Sequence, residues 1–410
     1  MKKNFIFSAA SNALKLFSGI ILFFIYARVF NPSEFGELTY AIVIATVIGL
    51  FVDFGYTLYL PKEATKKNND ITKLVSNALI VKVILSLLSF SALFIGHELE
   101  IIVGDLALLL PFCFSTILVS FGNTFLLPYR SLNRFHIETK YLMVQHISLS
   151  VMAILVMIVQ AEVMLIAYIY MLARLLFFIC AFLNFRKEFN FRWSYQRGIT
   201  KEIQRVAPYA VHAVIATLMI QIDTLILANY VESDQIGVYQ AGMRLVMASS
   251  LAISIFYDVL IPKFSSTING EPNKFIQLVQ RYNQIVIFIG ALCSVILYFF
   301  SELIILLLYG NSMIELNSYI ALFSIFIFLR FFGVTYNTLL TCSGNQKKRA
   351  LYLAITLLFI VLLESWLIPL YKINGALISL ILGHCLLYTL TMNLTKKEFG
   401  TFFLLKRSKI

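Results

Sequence analysis

Apolar and polar positions alternate along this chain on a scale of about twenty residues, far longer than the period of a helix face or a strand. Twelve mostly apolar runs occur, at about 5–29, 36–61, 75–96, 102–128, 140–159, 161–184, 206–230, 236–262, 284–308, 316–341, 350–370 and 374–394. Each is long enough to cross roughly 30 Å of hydrocarbon as a helix. The pattern predicts an all-α polytopic membrane protein with about twelve transmembrane helices. Hydrophobic residues make up 60% of the 410 residues and charged residues 13%, which excludes a soluble core as the organising principle.

The polar gaps carry a second signal. Inner gaps and termini hold 26 of the 33 Lys and Arg residues, whereas the outer gaps hold one, Lys372. By the positive-inside rule both termini are expected in the cytoplasm. The formal charge of +12 therefore reflects topology and contact with anionic headgroups, and no nucleic-acid partner is expected. Outer gaps of about seven residues or fewer leave no room for an outer catalytic domain. The five cysteines are scattered through apolar runs without metal-ligand spacing and read as small core residues. The stretch after Met1-Lys2-Lys3 is too long for a signal peptide and is read as a retained first span.

The longest polar interruption divides six runs from six. It predicts an N-terminal six-helix lobe at 1–184, a basic cytoplasmic linker at 185–205, and a C-terminal six-helix lobe with a short basic tail at 206–410. The halves echo each other: Gly36 and Gly237 are offset by 201, as are Pro61 and Pro262, and a weaker echo links Asn133 with Asn345. Because six is even, both halves start on the same side, so the repeats are parallel and a central cavity is expected between them.

Six cations remain within or at the edge of the runs: Lys15, Arg28, Lys82, Arg174, Arg244 and Arg330. Four such charges left in hydrocarbon would cost on the order of 10 kcal/mol. They are therefore expected to face a wet cavity, a carboxylate or a backbone carbonyl, and to form a cationic substrate-binding set. Lys15, Asp53 and Lys82 fall at one depth on the inner side, and Arg174 and Arg330 near the midplane. Asp223 and Arg244 occupy the outer half of consecutive runs, where they could pair, and Asp258 lies near an inner end. The three aspartates are expected as charge partners or ion-coupling groups. Arginine suits a phosphate because its planar fork offers two parallel donors. The sequence holds no Walker loop, GxSxG elbow or HExxH, and no metal site or cofactor is expected. Transport would draw on a gradient, such as that of H+ or Na+.

Two local patterns carry a family resemblance. One is the AR-x-x-x-P-x-E-F-G segment, Ala27, Arg28, Pro32, Glu34, Phe35 and Gly36, followed by Asp53-Phe54-Gly55 and a basic loop. The other is Pro208-Tyr209, Ile222-Asp223, Gly237-x-Tyr239, Arg244 and Pro262 in the second half. In this order they resemble the polysaccharide flippases of the multidrug/oligosaccharidyl-lipid/polysaccharide exporter superfamily. The resemblance implies a 6+6 fold in the bacterial cytoplasmic membrane, with a cavity lined chiefly by spans 1, 2, 7 and 8. It implies movement of an undecaprenyl-pyrophosphate-linked O-antigen or capsule repeat unit, amid membrane lipids and other polysaccharide-assembly membrane proteins. It favours Lys15, Arg244 and Arg28 over Arg174 and Arg330, whereas depth alone favours the latter pair. Three alternatives stay open: a drug or metabolite:ion antiporter of the same superfamily, a membrane-embedded polysaccharide polymerase, and a membrane scaffold that transports nothing. The loop after the second run lacks the G-x-x-x-D-[RK]-x-G-[RK]-[RK] pattern of major facilitators, and the peptidoglycan-precursor flippase usually carries extra spans beyond twelve.

Overall fold

A computed structural model describes residues 18–66, 70–159, 162–193, 198–268 and 270–399. Every regular element among them is helical. In chain order these are α1 (Ser18–Val29), α2 (Pro32–Asp53), α3 (Tyr56–Ala64), α4 (Ile71–Glu98), α5 (Leu106–Ser131), α6 (Phe135–Val159), α7 (Val163–Phe189), α8 (Ile199–Leu227), α9 (Ser233–Thr267) and α10 (Pro272–Phe299). There follow α11 (Ser301–Tyr309), a 3-10 segment (Asn311–Tyr319), α12 (Ile320–Phe332), α13 (Val334–Cys342) and α14 (Gln346–Phe399). Among the described residues nine helical stretches are long and apolar enough to cross a membrane. The chain is a multi-pass membrane protein.

Each apolar run of the sequence meets a helix, with informative breaks. The second run is split into α2 and α3 by Phe54 (φ 47°) and Gly55 (φ 82°). Gly55 is required twice over: its φ is left-handed, and a Cβ there would stand 2.5 Å from the Ala210 nitrogen. The last two runs form one long element, α14, broken at Lys372 (φ 51°, ψ −125°). The helices also reach further into the basic stretch between the halves than apolarity indicates. α7 continues to Phe189 and α8 begins at Ile199. Arg186 and Lys187 lie in the last turn of α7, where the helix dipole favours cations.

The loop before α2 is a helix start. Asn31 accepts from the Glu34 amide at 2.9 Å, its own amide donates to the Glu34 carboxylate at 3.1 Å, and Pro32 stands at the first helical position. This is a capping box, with two otherwise orphaned backbone donors satisfied reciprocally. Gly36, two residues further on, packs against the start of α9: a Cβ on Gly36 would lie 1.7 Å from the Ser233 carbonyl oxygen, and one on Gly237 would lie 2.1 Å from that of Pro32. The two glycines matched by sequence thus meet in space. The weaker echo shifts by one residue. Asn133 (φ 59°) is left-handed just beyond the end of α5, and the residue in that role beyond α13 is Gly344 (φ 76°), not Asn345. Asn and Gly are the residues that tolerate such a helix stop.

The chain forms two compact units, Met1–Gly237 and Val238–Ile410. The division falls after Gly237, beyond the linker expected at 185–205, and α8, the first helix of the expected C-terminal lobe, packs with α2 and α3 in the first unit. There α5 packs against both α2 and α7. Phe125 on α5 meets Phe178, Phe182 and Phe185 of α7 at centroid distances of 5.4–6.1 Å. In the second unit α12 packs against α10 and α14. Leu358, Leu362 and Trp366 on α14 and Phe288 on α10 are exposed, as lipid-facing positions require.

Candidate functional site

In the first unit, Lys82 is fully buried on α4. Its Nζ donates to Asp53 Oδ1 at 3.0 Å, to Ser120 Oγ at 2.9 Å and to the Ser120 carbonyl at 3.1 Å. All three ammonium donors thereby have acceptors, and the Tyr56 ring lies 5.6 Å away. Asp53 ends α2 and also accepts from the Thr57 amide and hydroxyl at 3.2 and 3.0 Å, so it bridges the helix break while neutralising Lys82. The charge of this pair is internally balanced. Lys15, expected at the same depth, lies outside the described residues.

Arg174 on α7 has a different setting. Its Nη1 donates to Ser115 Oγ of α5 at 2.9 Å, and its guanidinium stands 5.1 Å from the Tyr170 ring centre. Tyr26 of α1, hydrogen-bonded to Tyr170, is also within electrostatic reach. Arg174 Nε is buried without a hydrogen-bond partner, and among the described residues no carboxylate forms an ion pair with Arg174. A permanent cation, an unused donor and a tyrosine-lined wall make a place that can receive an anionic oxygen. Arg28, at the end of α1, is exposed. Asp223 is buried on α8 and accepts from the Thr224 amide at 2.8 Å. An apolar cleft of about 850 Å³ lies near the 99–105 loop, between Phe51, Leu88 and Leu225.

In the second unit Arg244 is buried on α9, with Nη2 donating to Gln240 at 3.1 Å and Nη1 lying 3.1 Å from the Met247 sulfur. Arg330 is half-buried at the end of α12, near Tyr257 and Tyr388, and makes no ion pair among the described residues. Asp258 is exposed. The structure therefore joins Lys82 with Asp53.

Several polar residues at these places are not singled out by sequence. Tyr170 and Gln240 each sit four residues before their arginine, a helical spacing that is readable. Ser115, Ser120 and Tyr26 come from other helices, and nothing in their local sequence marks them.

The basic loops are also organised. Arg130 grips Glu138 with two hydrogen bonds of 2.6 and 2.7 Å, and Arg134 pairs with Glu188, which also accepts from Tyr129 at 2.9 Å. Among the described residues no group of three or more His, Cys, Asp or Glu is placed to hold a metal ion.

Comparison with known proteins decides the family. A family model described as "Polysaccharide biosynthesis protein" matches residues 1–268. The chain belongs to that family. A capsular polysaccharide biosynthesis protein, CapF of Staphylococcus aureus, is 24% identical over 398 residues, covering 93% of this chain and 95% of the relative. Among solved structures, the lipid II flippase MurJ in an inward closed conformation is similar with a TM-score of 0.72 at 16% identity, covering 98% of this chain and 90% of MurJ. An inward-facing multidrug resistance MATE transporter of the MOP superfamily gives a TM-score of 0.68 at 13% identity, covering 95% of each chain. This member of the polysaccharide biosynthesis family thus has the fold shared by MurJ and the MATE transporters.

Proposed function

We propose that the chain is a flippase of the bacterial cytoplasmic membrane. Its cargo on this reading is an undecaprenyl-pyrophosphate-linked oligosaccharide repeat unit, moved from the inner to the outer leaflet by alternating access. The observation that carries the reading is the setting of two arginines within the apolar helices. Lys82 is neutralised by Asp53, but Arg174 and Arg330 stand inside apolar helices with no carboxylate ion-paired to them among the described residues. Holding such cations away from water is costly unless an anion visits them. A pyrophosphate supplies that anion, and family membership supplies the sugar-lipid context.

An antiporter of drug cations would need carboxylates free to exchange a proton for the cation. Asp53, the carboxylate at the helix break, is instead engaged by Lys82 and Thr57. No enzyme chemistry is proposed, and the driving force is proposed to be an H+ or Na+ gradient.

The test is deletion of the gene, followed by measurement of surface polysaccharide and of lipid-linked intermediates on the cytoplasmic leaflet. The intermediate is expected to accumulate, and Arg174→Gln, at unchanged protein abundance, should restore export at least about tenfold less well than the natural chain, the scale of one lost charge-assisted hydrogen bond. A deletion that leaves both the intermediate and the surface polymer unchanged overturns the reading.

A further inference from the structure

One cation expected to serve only topology turns inward. Arg349 falls in the basic gap between α13 and α14, yet its Nη1 donates to Thr341 Oγ1 at 2.8 Å and its Nε is buried without a hydrogen-bond partner. Tyr257 on α9 is within electrostatic reach of both Arg349 and Arg330 and stands beside the Asn337 side chain. Tyr388 on α14 also faces Arg330, and the His384 ring lies against Phe326 at 4.9 Å. Arg330, Asn337 and Thr341 are seven and four residues apart, two turns and then one, so they follow one face of α12 and α13 over roughly 16 Å. Gly333, between them, admits the Tyr388 ring, where a Cβ would stand 1.8 Å from a ring carbon.

We infer that Arg330 and Arg349, with the Tyr257 hydroxyl and the Asn337 amide between them, form a binding site in the second unit for a phosphate-class anion. Two guanidinium groups flank a hydroxyl and an amide, all from helices of one compact unit. Neither arginine is ion-paired to a carboxylate among the described residues. The donor set suits an anionic oxygen, because guanidinium, hydroxyl and amide groups all offer N–H or O–H donors. The row from Arg349, at the helix end, to Arg330, inside the apolar run, gives such an anion two successive cationic stops. This rests on the transport reading for its direction of travel, and on the side-chain cluster alone for binding.

The ligand is either a free phosphate or a phosphate carried on a lipid. Two arms distinguish them, both using the full chain in phosphatidylcholine nanodiscs. One titrates inorganic pyrophosphate calorimetrically; the other dopes the discs with phosphatidylglycerol and counts retained lipid by native mass spectrometry. The natural chain is expected to bind at least one probe, and which one it binds identifies the source. Arg330→Gln and Arg349→Gln should each weaken that binding about tenfold or more, whereas Lys62→Gln, which removes an exposed cation elsewhere, should change it less than about twofold. Where a glutamine variant loses its cooperative melt, Arg330→Lys and Tyr257→Phe replace it, each with an expected loss of several-fold. Binding of neither probe by the natural chain overturns the site. So does undiminished binding by the double Arg330→Gln, Arg349→Gln variant. Lost binding with intact polysaccharide export upholds the site and instead removes it from the transport cycle.

Discussion

Lys82 shows how a buried charge can be structural and Arg174 how it can be available. Removing one partner of a buried ion pair strands the other, whereas removing both together leaves an apolar contact. Lys82→Met alone should therefore lower stability by about 3–5 kcal/mol, and the pair Lys82→Met with Asp53→Leu should recover most of it. Thermal unfolding in detergent checks this; equal losses for the single and double variants would mean that the interaction with Ser120, not that with Asp53, holds Lys82. The depth of Lys82 and Asp53 along neighbouring runs made their meeting legible. The third acceptor was not, since a serine on another helix carries no mark of what it faces. Arg349 misled in the opposite sense: a Lys-Lys-Arg cluster in a loop reads as topology, and only packing shows which of the three turns inward.

Helices were legible as far as apolarity determines them, and their interruptions were not. Glycine is frequent in transmembrane helices, so Gly55 gave no warning that α2 stops and α3 starts. The turn at Phe54 and Gly55 frees the Thr57 amide from the helix ladder, and the Asp53 side chain accepts from it while also holding Lys82. Pro32 and Glu34 were visible in the family pattern, and the structure joins Glu34 with Asn31 in a capping box that starts the helix. At Gly36 the constraint is volume. Gly36→Ala sets a methyl against the Ser233 backbone carbonyl, which no rotamer change relieves. The variant should lose at least about 1–3 kcal/mol, and Gly237→Ala should lose a similar amount. Combining them should cost less than the sum, since the first methyl has already parted the two helices. Additive losses in detergent melts would show that the two backbones do not share one contact.

For the whole molecule, hydropathy and charge carried the fold class, and the comparison with MurJ and MATE structures agrees with it. The packing of α8 with α2 and α3 was not readable, because a boundary in sequence says nothing about which neighbour a helix chooses. Orientation follows from the Lys and Arg bias and has its own test. In a cysteine-free background, single cysteines at 65–66 and 343–345 should resist a membrane-impermeant thiol reagent in intact cells. Those at 99–103 and at 310–312 should react. The reverse pattern would place the basic loops outside and contradict the charge bias.

The meeting of Gly36 with Gly237 gives the expected duplication a steric consequence. If one ancestral glycine became two by duplication, both descendants ended on opposite sides of the same gap. Any methyl gained before that event would have entered twice, once from each helix, so the smallest residue had to precede the doubling. Later drift at either place is answerable to the other, and relatives that enlarge one are expected to have moved both helices apart.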